Sequence, residues 1–388
     1  MSCSDPALDT PRHGPYLPAR QRFLQTTAPV TPYRPTPPGR LRQAFLWLRT
    51  PDPRADESVE SAKRRIDGYV HALVSGQTRT SEPAKMAWIG LAALALGMHD
   101  AARAVLDVLR DAMGAERSPG AQRLYLLLAS RYLAWTGDLR LIAASHLPVI
   151  QSVYERLPPA PVLSSRVAPE RTIAPWESLL NELGDMAEAV GDVELATSAR
   201  ARASLQPHVP GDPAASLPDA PGGAAWGAYS LDLPDIAFTR WLAKVGRTAE
   251  DEREEVDDAA IRAAAVVLPF MHGMMGAEPD AVRHRLVLKP RLPVPWARFQ
   301  VDRITLGDAS IALEYQLDGD RHEFRLTQDT GAVPIRVIFE PALPVGTLRR
   351  TFIDGHEAEL DTRRVGDRIA APVQIVLDHD RHLQLHGQ

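Results

Sequence analysis

The sequence holds one cysteine, Cys3, in 388 residues. That excludes a disulfide framework, a cysteine-based zinc site and an iron–sulfur cluster together. Lysine is almost as scarce, 4 against 40 arginines, a skew that fits a GC-rich coding sequence and points to no function. Neither sign of charge dominates, since 44 basic and 49 acidic residues leave −5 at pH 7. Neutralising phosphate backbones or anionic lipid needs a basic excess, so neither nucleic acid nor membrane is an expected partner. No apolar run reaches the roughly 18–20 residues that span a bilayer, and the longest, residues 86–98, suits a buried helix. The opening MSCSDPALDTPRHGPYLPARQ has no charged segment leading into an apolar one, so a cytoplasmic location is expected. The phosphate-loop, dinucleotide, zinc-protease and nucleophile-elbow motifs are missing as well. Kinase, dehydrogenase, metalloprotease and serine-hydrolase chemistry therefore lack support, and no cofactor or metal is expected.

What is present points to two folded parts. Hydrophobic residues make up 45% of the chain and charged ones 24%, enough apolar matter for a large core. Residues 1–40 carry nine prolines, each fixing φ and removing a donor. They predict an extended arm that Tyr16, Phe23 and Tyr33 can pin to the body. Helical spacing then takes over. Residues 57–74 place Ile66, Tyr69, Val70 and Leu73 on one face, and residues 86–97 are apolar almost all round. Further helices are predicted over 99–113, 118–135, 139–157, 176–190, 193–204, 229–245 and 257–275. Several connections are two to four residues long, which forces antiparallel hairpins. Beyond Pro279 the period changes to two, over residues 285–289, 297–305, 310–317, 322–328, 334–340, 348–353 and 374–377. Turn signals such as Asp318-Gly-Asp320 and Asp354-Gly355 separate these runs, the pattern of an antiparallel β-sandwich. The expected organisation is an arm (1–40), a helical-hairpin domain (41–278) and a sandwich (279–388), with the boundary near residues 276–280.

Several residues admit both a chemical and a structural reading. Glu82, before Pro83, is either a substrate-facing carboxylate or an acid complementing a helix N-terminus. Trp176 and Glu177, near Glu170 and Arg171, form a sugar platform with a carboxylate, or else an ordinary helix start. Trp226, Tyr229, Asp232 and Asp235 interleave aromatic and acid in a way that suits a sugar site or a loop folding onto a core. Asp138 and Asp192 follow glycines and are expected to be N-caps. His272 stands among apolar residues and is expected to be hydrogen-bonded in place. The acidic run 251–258 suits a solvated helix start, and His379, His382 and His386 suit a solvent-facing terminal strand.

Three phrases resemble the six-hairpin glycosidase superfamily, nearest to glycogen-debranching and α-rhamnosidase-like glycoside hydrolases. They are Tyr125-Leu-Leu-Leu-Ala-Ser-Arg-Tyr132 followed by Trp135-Thr-Gly-Asp138, Trp176 leading to Ala187-Glu-Ala-Val-Gly-Asp192, and Met274-Met-Gly-Ala-Glu-Pro-Asp280 followed by Leu288-Lys-Pro-Arg-Leu-Pro293 and Trp296. The resemblance implies an (α/α)6 toroid-like helical domain followed by an antiparallel β-sandwich. It further implies an oligosaccharide in the toroid cavity, two carboxylates as acid and base, and aromatic subsites. On that basis Glu177 and Glu82 are the candidate catalytic carboxylates. Trp176, Trp226, Tyr229 and Asp232 are the candidate substrate contacts. The chain departs from the pattern in two ways: about nine helices are recognisable where the family has twelve, and the debranching acid phrase Thr-Trp-Met-Asp is absent. Two functions follow, a diverged glycoside hydrolase or an inactive descendant that binds carbohydrate or protein. An α-solenoid scaffold is a third arrangement of stacked hairpins, but no 34-residue self-similarity supports it.

Overall fold

The computed structural model describes residues 33–77, 82–116, 118–157, 176–205, 220–230, 233–245 and 255–387. After a short helix at Pro38–Ala44, ten longer helices follow: α1 (Pro53–Val74), α2 (Pro83–Ala95), α3 (His99–Ala112), α4 (Pro119–Thr136), α5 (residues 139–156), α6 (Trp176–Val190), α7 (Val193–Ser204), α8 (Gly223–Ser230), α9 (Pro234–Val245) and α10 (Val256–Leu268). Helices α2/α3, α4/α5, α6/α7 and α8/α9 are hairpins, and α10 packs on α1. A π turn at Ile142–His146 interrupts α5, and another at Pro269–Met274 extends α10. The sequence reading recognised nine helices. Its stretch over 229–245 corresponds to α9, which Pro234 opens, and it missed α8, whose residues Trp226 and Tyr229 it placed in a sugar site or a loop.

Even-numbered helices line the inside of a ring and odd-numbered ones the outside. Helix α2 packs against both α4 and α10, and α4 against α6. Its sequence explains the position. Residues Met86 to Ala95 are all buried, so no face is left for water. The approach to α4 is tight enough that a Cβ on Gly90 would stand 2.8 Å from the Leu128 side chain. By contrast α3 is strongly two-faced, burying Ala102, Val105, Leu106 and Leu109 and leaving Asp100 and Asp111 outside. Among the described residues no helix is long and apolar enough to cross a membrane.

The sheets account for the second half. Their strands are β1 (Trp47–Arg49), β2 (Glu278–Asp280), β3 (Arg285–Leu288), β4 (Arg298–Leu306), β5 (Ala309–Asp318), β6 (Arg321–Thr330) and β7 (Ile335–Phe339). They continue as β8 (Ala342–Leu343), β9 (Leu348–Ile353), β10 (His356–Glu357), β11 (Arg363–Val365), β12 (Arg368–Ala370), β13 (Val373–Leu377) and β14 (Arg381–Gly387). A seven-stranded sheet, β1-β4-β5-β6-β14-β9-β10, faces a four-stranded one, β13-β7-β3-β2. Phe324 of β6 meets Phe339 of β7 edge to face at 5.1 Å between them. All pairings are antiparallel except β3 with β7. Strand β14 lies inside the sheet between β6 and β9, with Leu383 and Leu385 buried and His382, Gln384 and His386 on its other face.

Residues 47–49 precede every hairpin yet form β1, paired with residues 300–302 of β4. Of the expected arm, residues 1–32, with Tyr16 and Phe23, lie outside the described residues. Tyr33 does pin its neighbourhood, donating its hydroxyl proton to Asp67 of α1.

No flexible linker joins the halves. Lys289 N donates to Met275 O at 2.9 Å and Arg291 N to Met274 O at 2.8 Å, so the π turn is bonded straight into the sandwich. Phe238 and Trp241 of α9 pack on Trp296, which stacks on Phe299 of β4 at 5.8 Å. Arg368 of β12, 1% exposed, donates to Leu292 O at 2.6 Å and to Asp235 of α9 at 3.1 Å.

Candidate functional site

The two ends of the helical ring are built differently. At one end the helices are joined by turns of two or three residues, as between α2 and α3 or α6 and α7. Here Gly97 and Gly137 take positive φ, and Asp138 and Asp192 cap the following helices at 2.9 and 3.0 Å. Both capping expectations are met. This turn end is pressed against the sandwich: Gly307 N donates to Trp135 O at 2.7 Å, and a Cβ on Gly97 would lie 2.6 Å from Thr305 Oγ1.

At the other end, the loop end, α2 and α10 begin side by side, whereas the short α8 starts deeper, Gly222 lying against Ala265 and Pro269 of the α10 region. The connections arriving there run from six residues before α4 to nineteen before α6. Long connections on a rigid frame are where binding and catalytic groups concentrate. Glu82 stands at this end as the N-cap of α2, exposed and making no capping bond. Lys85, one turn on, lies 3.6 Å from Glu82 and 3.8 Å from Asp258 in the first turn of α10. A carboxylate, an ammonium and a second carboxylate thus bridge the starts of two neighbouring inner helices. Sequence reasoning found Glu82 and missed the others. The i, i+3 spacing of Glu82 and Lys85 was available, but Asp258 was hidden in an acidic run and is distant in sequence. Beside them Tyr69 is buried and its hydroxyl is pushed up, first by burial and then by the Asp257 charge. Arg123, in the second turn of α4, is brought down to about 10 by burial.

The other expected contacts are distributed unevenly. Glu177 is half-buried in the first turn of α6. Trp176 starts that helix, but its side chain lies outside the described residues, as does Asp232. Glu170 and Arg171 lie outside them too.

Trp226 and Tyr229 are not surface platforms. Trp226 is 0% exposed, edge-on to Trp88 at 6.4 Å and stacked on His272 at 5.5 Å. Trp135 closes the group edge-on to His272 at 6.4 Å. Tyr229 is 1% exposed, and a Cβ on Gly273 would reach 2.5 Å from its ring. Burial pushes its hydroxyl far up. Spacing three apart on a short apolar helix sent both rings inward, into packing contacts rather than onto the surface. His272 is held there by a 3.2 Å bond between its Nδ1 and Ala277 O, as expected of a packed histidine.

A separate cavity of about 290 Å3 lies at the turn end, between α4, α6 and β2. Its charges satisfy one another: Arg131 donates to Glu182 at 3.2 and 3.1 Å, and Arg283 and Arg285 both donate to Asp280 at 3.2 Å. Among the described residues no group of three or more histidine, cysteine or acidic side chains is placed to hold a metal ion.

No protein-family profile and no curated protein matches the sequence. Solved structures do match. A GH78 family rhamnosidase of Bacillus sp. GL1 superposes with a TM-score of 0.50 at 12% identity, over 74% of this chain and 42% of its own. A putative kojibiose phosphorylase from the human microbiome gives 0.45 at 9% identity, over 87% of this chain and 68% of its own. The chain therefore spans less than half the length of the rhamnosidase it matches. That likeness shows the fold: helical hairpins followed by a β-sandwich, of the six-hairpin-glycosidase type, with four hairpins and the α10–α1 pair among the described residues.

Proposed function

We propose that this chain handles an oligosaccharide at the loop end of its helical ring, as a glycoside-hydrolase-like protein of carbohydrate metabolism. What supports the reading is the asymmetry of the ring: its turn end abuts the sandwich at Gly97 and Trp135, while the long connections lead into α2, α6 and α10. In this reading Glu82 and Glu177 are the carboxylates that meet the sugar, with Lys85 and Asp258 beside Glu82. Hydrolysis requires one carboxyl group to protonate the leaving oxygen and the other to activate water or attack the sugar directly. Trp176 and Asp232 remain proposed contacts from the resemblance.

A second reading, binding without turnover, is favoured by a specific observation. Trp88, Trp226 and His272 occupy the middle of the ring, so a sugar chain meets a filled floor rather than a deep cavity. The deciding experiment is mass-spectrometric product detection after incubation with α- and β-linked oligosaccharides, glycogen fragments and rhamnosides. Glu177→Gln and Glu82→Gln run in parallel. Sugar release abolished by either substitution supports the hydrolase. Binding without release supports the inactive descendant, and neither binding nor release removes both.

A further inference from the structure

We propose that the outward face of the seven-stranded sheet is a groove for a linear, uncharged oligosaccharide, separate from the loop end of the ring. A cleft of about 400 Å3 crosses β1, β4, β5, β6 and β14. Strand register lays out its floor. Arg49, Gln300, Glu314, Arg325 and His382 are successive neighbours across these five strands. Two residues along, Arg298, Gln316, Glu323 and Gln384 form a second row. Within a row a new polar side chain arrives about every 4.8 Å, and the rows stand about 7 Å apart. The alternate residues, among them Phe299, Tyr315 and Phe324, point into the core and hold the floor rigid.

The chemistry of the rows selects the ligand class. Glutamine amides offer a donor and an acceptor each, arginines only donors and glutamates only acceptors. Mixed donors and acceptors repeating at strand spacing match the hydroxyls of a sugar chain, which both donate and accept. Three arginines against two glutamates nearly cancel, so a polyanion gains little here. Part of the floor is also uncommitted. Arg325 is paired with Asp380 and Glu323 with Arg321, while the side chains of Arg298, Gln316 and His382 make no hydrogen bond or ion pair among the described residues. Half-buried Trp47 lies on the same face at the next register position, opposite Asp302. An aromatic ring there suits the C–H face of a sugar. An open sheet face is ordinarily polar; what sets this one apart is the cleft and its unpaired groups.

The full chain is titrated calorimetrically with maltohexaose, cellohexaose, xylohexaose and mannohexaose, and with heparin as the polyanion. At least one neutral hexasaccharide is expected to bind. The double variant R298A/Q316A should weaken that binding about tenfold or more, two hydrogen-bonding side chains being lost. Its denaturation midpoint should not move, since both residues are exposed. Binding that survives the double variant but is lost in Glu82→Gln belongs to the loop end and overturns the groove. So does heparin binding in place of the neutral sugars, or no binding at millimolar concentration. Sugar release is read separately, so this proposal and the loop-end reading can fail independently.

Discussion

The two ends of the helical ring share the same helices and differ in what joins them. At the turn end the chain reverses within two or three residues, using left-handed glycines and aspartate caps, and its backbone touches the sandwich directly. At the loop end α2 and α10 begin with exposed charges, and among the described residues the ion-pair partner of Glu82 is Lys85. Contacts made by backbone and buried rings tolerate no added atoms, whereas an exposed ion pair contributes little. Stability should therefore be concentrated at the turn end and the centre, and freedom to change at the loop end.

Substitutions can break that contrast or sharpen it. The largest effect is expected in the centre, where Trp226→Ala empties the space between Trp88 and His272. It should cost about 3–5 kcal/mol in denaturant unfolding; a loss under about 1 kcal/mol would mean the centre is not packed as described. Gly276→Val comes next. At φ +55 its Cβ would meet Lys289 O at 2.9 Å, so strain and crowding together should cost about 3 kcal/mol. Asp235→Ala leaves the buried Arg368 guanidinium without its acid. Because Asp235 itself is exposed, about 2 kcal/mol is expected, below the range for a fully buried pair.

A pH titration tests the sandwich. His322 is 3% exposed, bonded to the Tyr315 hydroxyl at 2.9 Å, and brought down to about 4 by burial. Its folded value lies below its unfolded one, so its contribution is complete above about pH 6.5 and is lost as pH falls towards 4. At pH 5.5 the loss should be about 1 kcal/mol, and His322→Gln should flatten that part of the profile. The smallest effect belongs to the loop end. Glu82→Gln should change stability by less than about 0.5 kcal/mol, so any large change in sugar binding or release there is not a folding defect.

Much of the fold was legible because both periodicities are strong. Ten consecutive buried residues in α2 could belong only to an inner helix, and alternation in β4 to β6 marked both faces of the sheet. Strand β1 was not legible, since three residues are too few to show a period and their partner lies some 250 residues away. The candidate site was read less well for a similar reason. An aromatic beside acids looks the same in sequence whether its ring faces a ligand or a tryptophan, and only packing sent Trp226 inward. The polar rows of the sheet escaped notice because sequence patterns are read from the buried positions. The exposed ones, Gln300 or Gln316, carry no period of their own beyond being what is left over.

Strand β1 also bears on how the molecule avoids sticking to itself. Without it, β4 would be the sheet's outermost strand, nine residues long and offering free backbone groups to any other chain. The three residues Trp47–Arg49 take up part of that edge, closing a loop of some 250 residues to do so. During synthesis the gatekeeper is made before the edge it guards. A sandwich expressed from residue 279 onward would carry the other six strands of that sheet and lack its guard, and should assemble edge to edge rather than stay monomeric.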